Sequence, residues 1–369
     1  MARRSDVGGP VIKAAGNLTM TTVRLPPNAD DVRQTMLRQP DDARRLLADG
    51  WKQTRQAVDL LDGAERVILT GVGSSFNAAL VGAWMFREIG LDGRAVPAGD
   101  IWLYPRNNPF RPTDAVIVLS HFGLRSASLE TINLARAAGA TVLSVGSLTV
   151  DHPGSRLILR TVERETSMIG TSSHMAAMMV LAQIALVLGE RMRRSAVVGW
   201  RETIDKLPAM LEAMLTRDEE IVPVAQIAAD RHVYAVAAGP NESTAIEFMM
   251  KARQAGNASV DAFPFEQLIH GPIVAADTGD LGVVIRLPGP SADRSAEFAR
   301  VMDRIGMRLW VVGQSASDVH PVAIFDIPDV PEMLSPLITL IPMQMLAYQV
   351  ALIRQMNPET FDRLLPLLP

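Results

Sequence analysis

Cysteine is absent from all 369 residues. Disulfides, thiolate nucleophiles and zinc ribbons are excluded with it, and a reducing cytoplasm is the expected compartment. Lysine is almost as scarce: Lys13, Lys52, Lys206 and Lys251 are the whole set, within 36 Lys and Arg together. With a net charge of -4 and no basic run interleaved with aromatics, nucleic acid is not an expected partner. The six histidines are scattered, with no pair at ligand spacing. Neither a metal nor another cofactor is expected on that basis.

A secretory signal is also missing from the sequence as given. The stretch "MARRSDVGGPVIKAAGN" has basic residues but no apolar core of the required length. Two apolar runs raise the membrane question. Residues 175–189 are too short to span a bilayer. Residues 334–353 are long enough, but Pro336, Pro342, Gln344 and Gln349 interrupt them. Both are expected to be buried core or interface helices, with no membrane partner.

Hydrophobic residues make up 48% of the chain and charged residues 21%, which is a globular composition. The length suits two domains. The spacing predicts an N-terminal arm over 1–32, one domain over 33–197 and a second over 198–369. Two helices broken at Pro40 are expected to open the first domain. "RVILTGVGSSFNAALVGAWMFREIG" then reads as strand, Gly-Ser turn and helix. "DAVIVLSHFG", with "RSASLETINLARAAG" behind it, repeats that grammar, and Ser126 or Ser128 is the expected cap. "ATVLSVGS" is another strand, "RLILRTV" an outer one, and "SSHMAAMMVLAQIALVLGERMRR" a long buried helix. Apolar strands alternating with helices predict an α/β fold whose parallel sheet is covered on both faces. A second copy begins at residue 233: "VYAVAAGPNESTAIEFMMKARQAG" aligns with "VILTGVGSSFNAALVGAWMFREIG". The expectation is two tandem doubly wound parallel sheets joined near residues 195–205.

Ligands of such sheets collect beyond the carboxyl ends of the strands, where helix N-termini present free N–H groups. Three hydroxyl-rich loops fit that placement: Gly73, Ser74 and Ser75 in the first, Ser120, His121, Gly123 and Arg125 in the second, Thr171 and Ser172 in the third. None has Walker or dinucleotide spacing. In the second copy, Glu247 and Lys251 stand at i, i+4 with Gln254 one turn on. That pair reads either as a helix surface ion pair or as a polar face turned into a cleft. Glu266 and His270 crowd one short turn in "FEQLIHGPIV", before an apolar strand expected at "IVAAD". Gly-Pro after the histidine suits a positioned acid or base.

Taken together, these motifs resemble the tandem sugar isomerase (SIS) domains, in particular the isomerase half of glutamine–fructose-6-phosphate aminotransferase. "GVGSSFNAALVG", "LSHFGLRSASLETINLARAAGATVLSV", "IGTSSHMAAMMVLAQIALVLG" and "AIEFMMKARQAGNASVDAFPFEQLIHGP" carry the likeness, which runs from about residue 33 to the tail. It implies a homodimer acting on a small sugar or sugar phosphate, with His270 opening the ring in the partner subunit's site. Glu247, Lys251 and Gln254 occupy catalytic helix positions, and Ser75, Ser120 and Thr171 sugar-phosphate loop positions. It also implies a chain without the family's glutaminase domain, unable to draw ammonia from glutamine by that route. The departures are equally specific. Gln254 stands where the family has its isomerising glutamate, and an amide cannot act as that base. Pro366 falls where a Schiff-base lysine is expected. Phe122 and Arg125 alter the phosphate loop, where Arg125 can clamp an anion. The resemblance thus implies an aldose–ketose isomerase or an amino-sugar-phosphate deaminase or deglycase, with a non-catalytic sugar-phosphate sensor as the alternative.

Overall fold

The computed structural model describes residues 30–359, apart from Met168 and residues 315–318, together with two short strands near the N-terminus. These strands, β1 (Val11–Ile12) and β2 (Val23–Arg24), pair antiparallel. The remainder of the expected arm up to residue 29, and the tail position Pro366, lie outside the described residues.

Helices α1 (Asp30–Asp49) and α2 (Trp51–Leu61) come first. The break expected at Pro40 does not occur; the chain turns at Gly50 instead. Pro40 has no N–H to give the Met36 carbonyl. The Gln39 side-chain amide donates to that carbonyl at 3.0 Å in its place, so the helix crosses its proline with the carbonyl satisfied.

Five strands and their helices then alternate: β3 (Arg66–Thr70), α3 (Ser74–Glu88), β4 (Asp92–Ala95), α4 (Ala98–Leu103), β5 (Asp114–Leu119), α5 (Ser126–Ala137), β6 (Thr141–Gly146) and β7 (Leu157–Arg160), followed by α6 (Ser172–Arg191). The sheet order is β4-β3-β5-β6-β7, with every pairing parallel and "RLILRTV" at the outer edge, as expected. Neither Ser126 nor Ser128 caps α5. Arg125 holds the N-cap position without a side-chain bond, and Ser128 is buried.

Helices α7 (Trp200–Leu215) and α8 (Asp218–Asp230) lead into the second sheet. It is built from β8 (Val233–Ala237), α9 (Glu242–Gly256), β9 (Val260–Pro264), α10 (Phe265–Ile269), β10 (Leu281–Arg286), α11 (Ala292–Ile305), β11 (Arg308–Gly313), β12 (Ala323–Phe325) and α12 (Pro336–Ile353). Its order, β12-β11-β10-β8-β9, repeats that of the first sheet read from the other edge, again all parallel. The two copies even share a backbone detail. Gly73 and Gly239, equivalent in the alignment, both sit at φ 58°, a region that favours glycine.

The apolar strand expected after His270 is instead one turn of 3-10 helix over Pro272–Ala275, and Val274 is 88% exposed. Pro272 cannot donate to a ladder, and Gly271 at φ 155° has already turned the chain. Both apolar runs are helices, α6 and α12. They are long and apolar enough to cross a membrane, but 89% of each apolar window is buried inside the fold. Helix α12 packs mainly on α9 and α8, and α6 on α3, α1 and α2, so the two sheets share one continuous core.

At the amino end of the first sheet, Arg66 forks onto Asp114. Nε reaches Oδ1 at 2.7 Å and Nη2 reaches Oδ2 at 2.6 Å, while the Arg111 N–H donates to Oδ2 at 2.7 Å. The Asp114 side chain is fully buried and that of Arg66 is 11% exposed. Removing one partner strands the other charge in the interior. Asp114→Ala is therefore expected to cost about 3–5 kcal/mol, read as a lower urea midpoint. An unchanged midpoint would show that the pair adds nothing to stability.

Candidate functional site

The strand order reverses direction between β3 and β5, and this is where a doubly wound sheet leaves its crevice. A small cleft lies there, lined by Ser74, Ser75, Ser120, His121, Ser173 and His174 together with Leu119 and Val145. Gly73 lets the chain enter α3 at φ 58°, so Ser74 and Ser75 become the first helical residues at the cleft wall. A Cβ at position 73 would meet only Met250 Sδ, at 3.9 Å; the glycine is required by its backbone angle, not by crowding.

The second loop is a turn closed by Ser120, whose Oγ donates to the Gly123 carbonyl at 2.6 Å; Gly123 has φ 101°. Arg125 is exposed at the start of α5 and has no partner among the described residues. His121 is held by the Glu165 backbone N–H, which donates to Nε2 at 3.3 Å. In the neutral ring its proton therefore sits on Nδ1, which is buried without a partner among the described residues. Phe122 meets His121 edge-on with ring centres 4.9 Å apart.

The third loop differs from expectation. Thr171 and Ser172 turn away from the cleft: Thr171 Oγ1 donates to Thr35 at 2.8 Å, and Ser172 Oγ to Asp42 at 2.6 Å. The helical advance of 100° per residue brings Ser173, His174 and Ala177 to the cleft instead. Nor are the N–H groups of α6 open to an outside anion. Glu165 Oε1 accepts from the backbone of Thr171 at 3.0 Å, Ser172 at 2.8 Å and Ser173 at 3.3 Å, and Oε2 accepts from Ser173 Oγ. The chain fills that helix terminus with its own carboxylate.

Of the two readings of Glu247–Lys251, the structure has the pair inside. Both side chains are 4% exposed, with Lys251 Nζ 3.1 Å from Glu247 Oε1. Asn77 Nδ2 donates to Glu247 Oε2 at 2.6 Å, and Lys251 Nζ donates to Ser74 Oγ at 2.9 Å. The pair thus bridges α9 of the second sheet to α3 of the first and ends on a hydroxyl at the cleft. Burial pushes the Glu247 carboxyl up, but His174, Lys251, Asn77 and Ser74 together pull it below the ordinary carboxylate range. His174 hangs on the same serine, its Nδ1 3.0 Å from the Ser74 carbonyl. Burial lowers both His174 and His121 from the ordinary imidazole value.

Three expected residues stand apart from this cluster. Gln254 is half-buried one turn beyond Lys251, and its Oε1 has no partner among the described residues. Glu266 is exposed and held in a fork by Arg294 at 2.6 and 2.8 Å, which lowers its carboxyl. His270 is exposed as well, its Nδ1 2.9 Å from the carbonyl of Glu266. Asn77, Glu165, Ser173 and His174 are the members that the sequence reading missed. Asn77 is one turn from Ser74, so helical spacing from that loop would have found it.

Glu247→Gln would leave Lys251 buried without its counter-ion, and is expected to cost about 3–5 kcal/mol at pH 7. Because the folded carboxyl titrates below its ordinary 4.5, its contribution is complete above that pH and is lost as the pH falls through the lowered value. The gap between wild type and variant in urea unfolding should therefore narrow below about pH 4.5. A gap that is constant from pH 7 to pH 3 would exclude this titration.

The fold is shared with known proteins. The SIS domain family matches residues 60–187. Glutamine–fructose-6-phosphate aminotransferase of Pyrococcus horikoshii is 24% identical over 330 residues, covering 87% of this chain and 54% of that protein. The chain thus spans about half the length of the curated relatives it matches. The C-terminal domain of glucosamine-fructose-6-phosphate aminotransferase from Francisella tularensis superposes with a TM-score of 0.78 at 18% identity, covering 88% of this chain and 96% of that one. Tagatose-6-phosphate ketose/aldose isomerase of Escherichia coli gives 0.74 at 18% identity over 91% and 97% of the two chains. Glucosamine-6-phosphate deaminase of Thermotoga maritima gives 0.68 at 15% over 89% and 96%. Residues 60–187, which include the first sheet, match the SIS domain family, and the two-sheet fold is shared with these solved structures along most of the chain's length.

Proposed function

We propose that the cleft processes a phosphosugar, as an aldose–ketose isomerase or an amino-sugar-phosphate deaminase or deglycase. The observation that carries this reading is the buried Glu247–Lys251 pair ending on Ser74 at the switch-point cleft. A charged pair taken out of water is costly, and packing alone gives no reason to aim it at a crevice. Chemistry on a sugar carbonyl needs a cation or proton donor near the oxygen, and Lys251 supplies one through the serine hydroxyl. Arg125 and Ser75 at the ends of α5 and α3 suit the phosphate. The structural neighbours named above include an isomerase and a deaminase of sugar phosphates, which supports the class without choosing between them.

On this reading residues 33–197 and 198–369 are two SIS domains, and the protein works as a homodimer. His270 projects from the surface of its own subunit, which suits a ring-opening role in the cleft of a second copy. One observation favours the alternative, a sugar-phosphate sensor without catalysis. Gln254 is an amide where a carboxylate base is expected, and Glu266 is tied up by Arg294.

A thermal-shift screen separates the readings, since a ligand of the native state at 100 times its Kd adds about 2.7 kcal/mol of stability. Hexose and amino-sugar 6-phosphates are expected to raise the melting temperature, and the unphosphorylated sugars are not. Ligands that bind are then assayed for ketose formation and ammonia release. Turnover that falls about 10²–10⁴-fold in His270→Ala supports the enzyme. Binding with no turnover favours the sensor, and no shift with any sugar phosphate removes both.

A further inference from the structure

We infer that His174 is the general base of the cleft, taking a proton from the carbon beside the sugar carbonyl. The inference rests on the phosphosugar reading above and identifies the group that moves the proton.

The argument is one of lone pairs. A base needs an unshared pair that faces the cleft and is not already committed. Glu247 is ion-paired with Lys251 and accepts from Asn77, and its depressed titration makes it a weak proton acceptor. Glu165 is engaged by three backbone N–H groups and the Ser173 hydroxyl at the start of α6. Glu266 is exposed and forked by Arg294. His121 uses the lone pair on Nε2 to accept from the Glu165 N–H. His174 is different. Its Nδ1 lies 3.0 Å from the Ser74 carbonyl, which can only accept, so Nδ1 carries the proton. In the neutral ring the lone pair is then on Nε2, which has no partner among the described residues, on a side chain that lines the cleft. The bond to Ser74 fixes the tautomer in the way a second group orients a catalytic imidazole.

The step balances without any other reactant. In an aldose, the C2–H bond breaks, its proton bonds to Nε2, and its electron pair forms the C1–C2 double bond. The carbonyl oxygen at C1 meanwhile takes a proton from the Lys251 ammonium through Ser74 Oγ. The imidazolium then returns its proton to C1, while the hydroxyl proton at C2 goes back to Lys251. The product is the ketose, with both side chains restored. The groups facing His174 are Glu247 and Lys251 from α9, Glu165 from the segment before α6, and His121 across the cleft. Burial outweighs them and keeps the ring neutral, and so able to accept a proton, at neutral pH.

The test uses the full chain in D₂O with fructose 6-phosphate, tagatose 6-phosphate and glucosamine 6-phosphate, following loss of the C1 and C2 proton signals by NMR. The variant is His174→Asn, whose amide can still donate to the Ser74 carbonyl but offers no basic nitrogen. Wild type is expected to exchange at least one probe. The variant should lose about 10²–10⁴-fold of that rate while the melting shift produced by the probe is retained. Should the variant not fold, the wild-type pH profile still decides: the rate should rise through a single titration below 6.5 and stay level to pH 9. A variant that exchanges within threefold of wild type, or a rate that rises only above pH 8, overturns the assignment of His174 and leaves the phosphosugar reading standing. Binding with no exchange by wild type overturns both.

Discussion

The ion pair between Glu247 and Lys251 constrains everything around it. Two charges at 4% exposure are costly to hold in the interior, and each hydrogen bond made to them offsets part of that cost. From α3, Asn77 bonds Glu247 Oε2 and Ser74 bonds Lys251 Nζ, while Glu247 Oε1 has the ion pair but no hydrogen bond among the described residues; Ser243 Oγ adds a bond to the Asn77 carbonyl at 2.6 Å. Helices α3 and α9 therefore meet along a polar strip inside an otherwise apolar core. In the aligned first copy the equivalents of Glu247 and Lys251 are Val81 and Met85, both fully buried. The same helix face is thus built twice, once as ordinary core and once with a carboxylate and an ammonium. The polar version is the one that reaches the cleft.

The same constraint explains how the three loops divide their work. All three end at helix N-termini, and by position alone each could hold an anion. Glu165 removes one of them by placing an internal carboxylate on the N–H groups of α6. That leaves the start of α3 at the cleft, with Arg125 exposed at the start of α5 beyond the lining residues. The charge of Lys251 is largely balanced by Glu247, whereas Arg125 is exposed and its side chain has no partner among the described residues.

The repeated strand–turn–helix grammar was legible because buried parallel strands are apolar runs and the helices behind them are amphipathic or apolar. β4, β9 and β12 were not. "DGRA" has almost no apolar signal, "VDAFP" contains an aspartate and a proline, and "AIF" is three residues long. Each is an edge strand because a parallel neighbour supplies its ladder, which local sequence does not record. Pro40 misled for a related reason. Its cost was removed by the neighbouring Gln39 side chain, and a proline rule does not see that compensation. The candidate site was legible where a motif is continuous, as in the loops and the Glu247–Lys251 spacing. It was illegible where tertiary packing chose the partner. Nothing local shows that Glu165 folds back on α6, or that His174 rather than Thr171 lines the cleft.

Ser74 shows how much one loop position can decide. Gly73 takes a left-handed backbone angle and so delivers Ser74 as the first residue of α3, with its carbonyl and its hydroxyl both committed. The carbonyl holds the Nδ1 proton of His174 and leaves the opposite nitrogen free to accept. The hydroxyl accepts from Lys251 and passes its polarity into the cleft. An acid and a base from different sheets, on α9 and α6, are thereby set at one serine with a common orientation. A side chain at Gly73 would be strained whatever its size, because the φ of 58° rather than space is limiting. The glycine matters because it fixes the geometry of two groups that it does not touch.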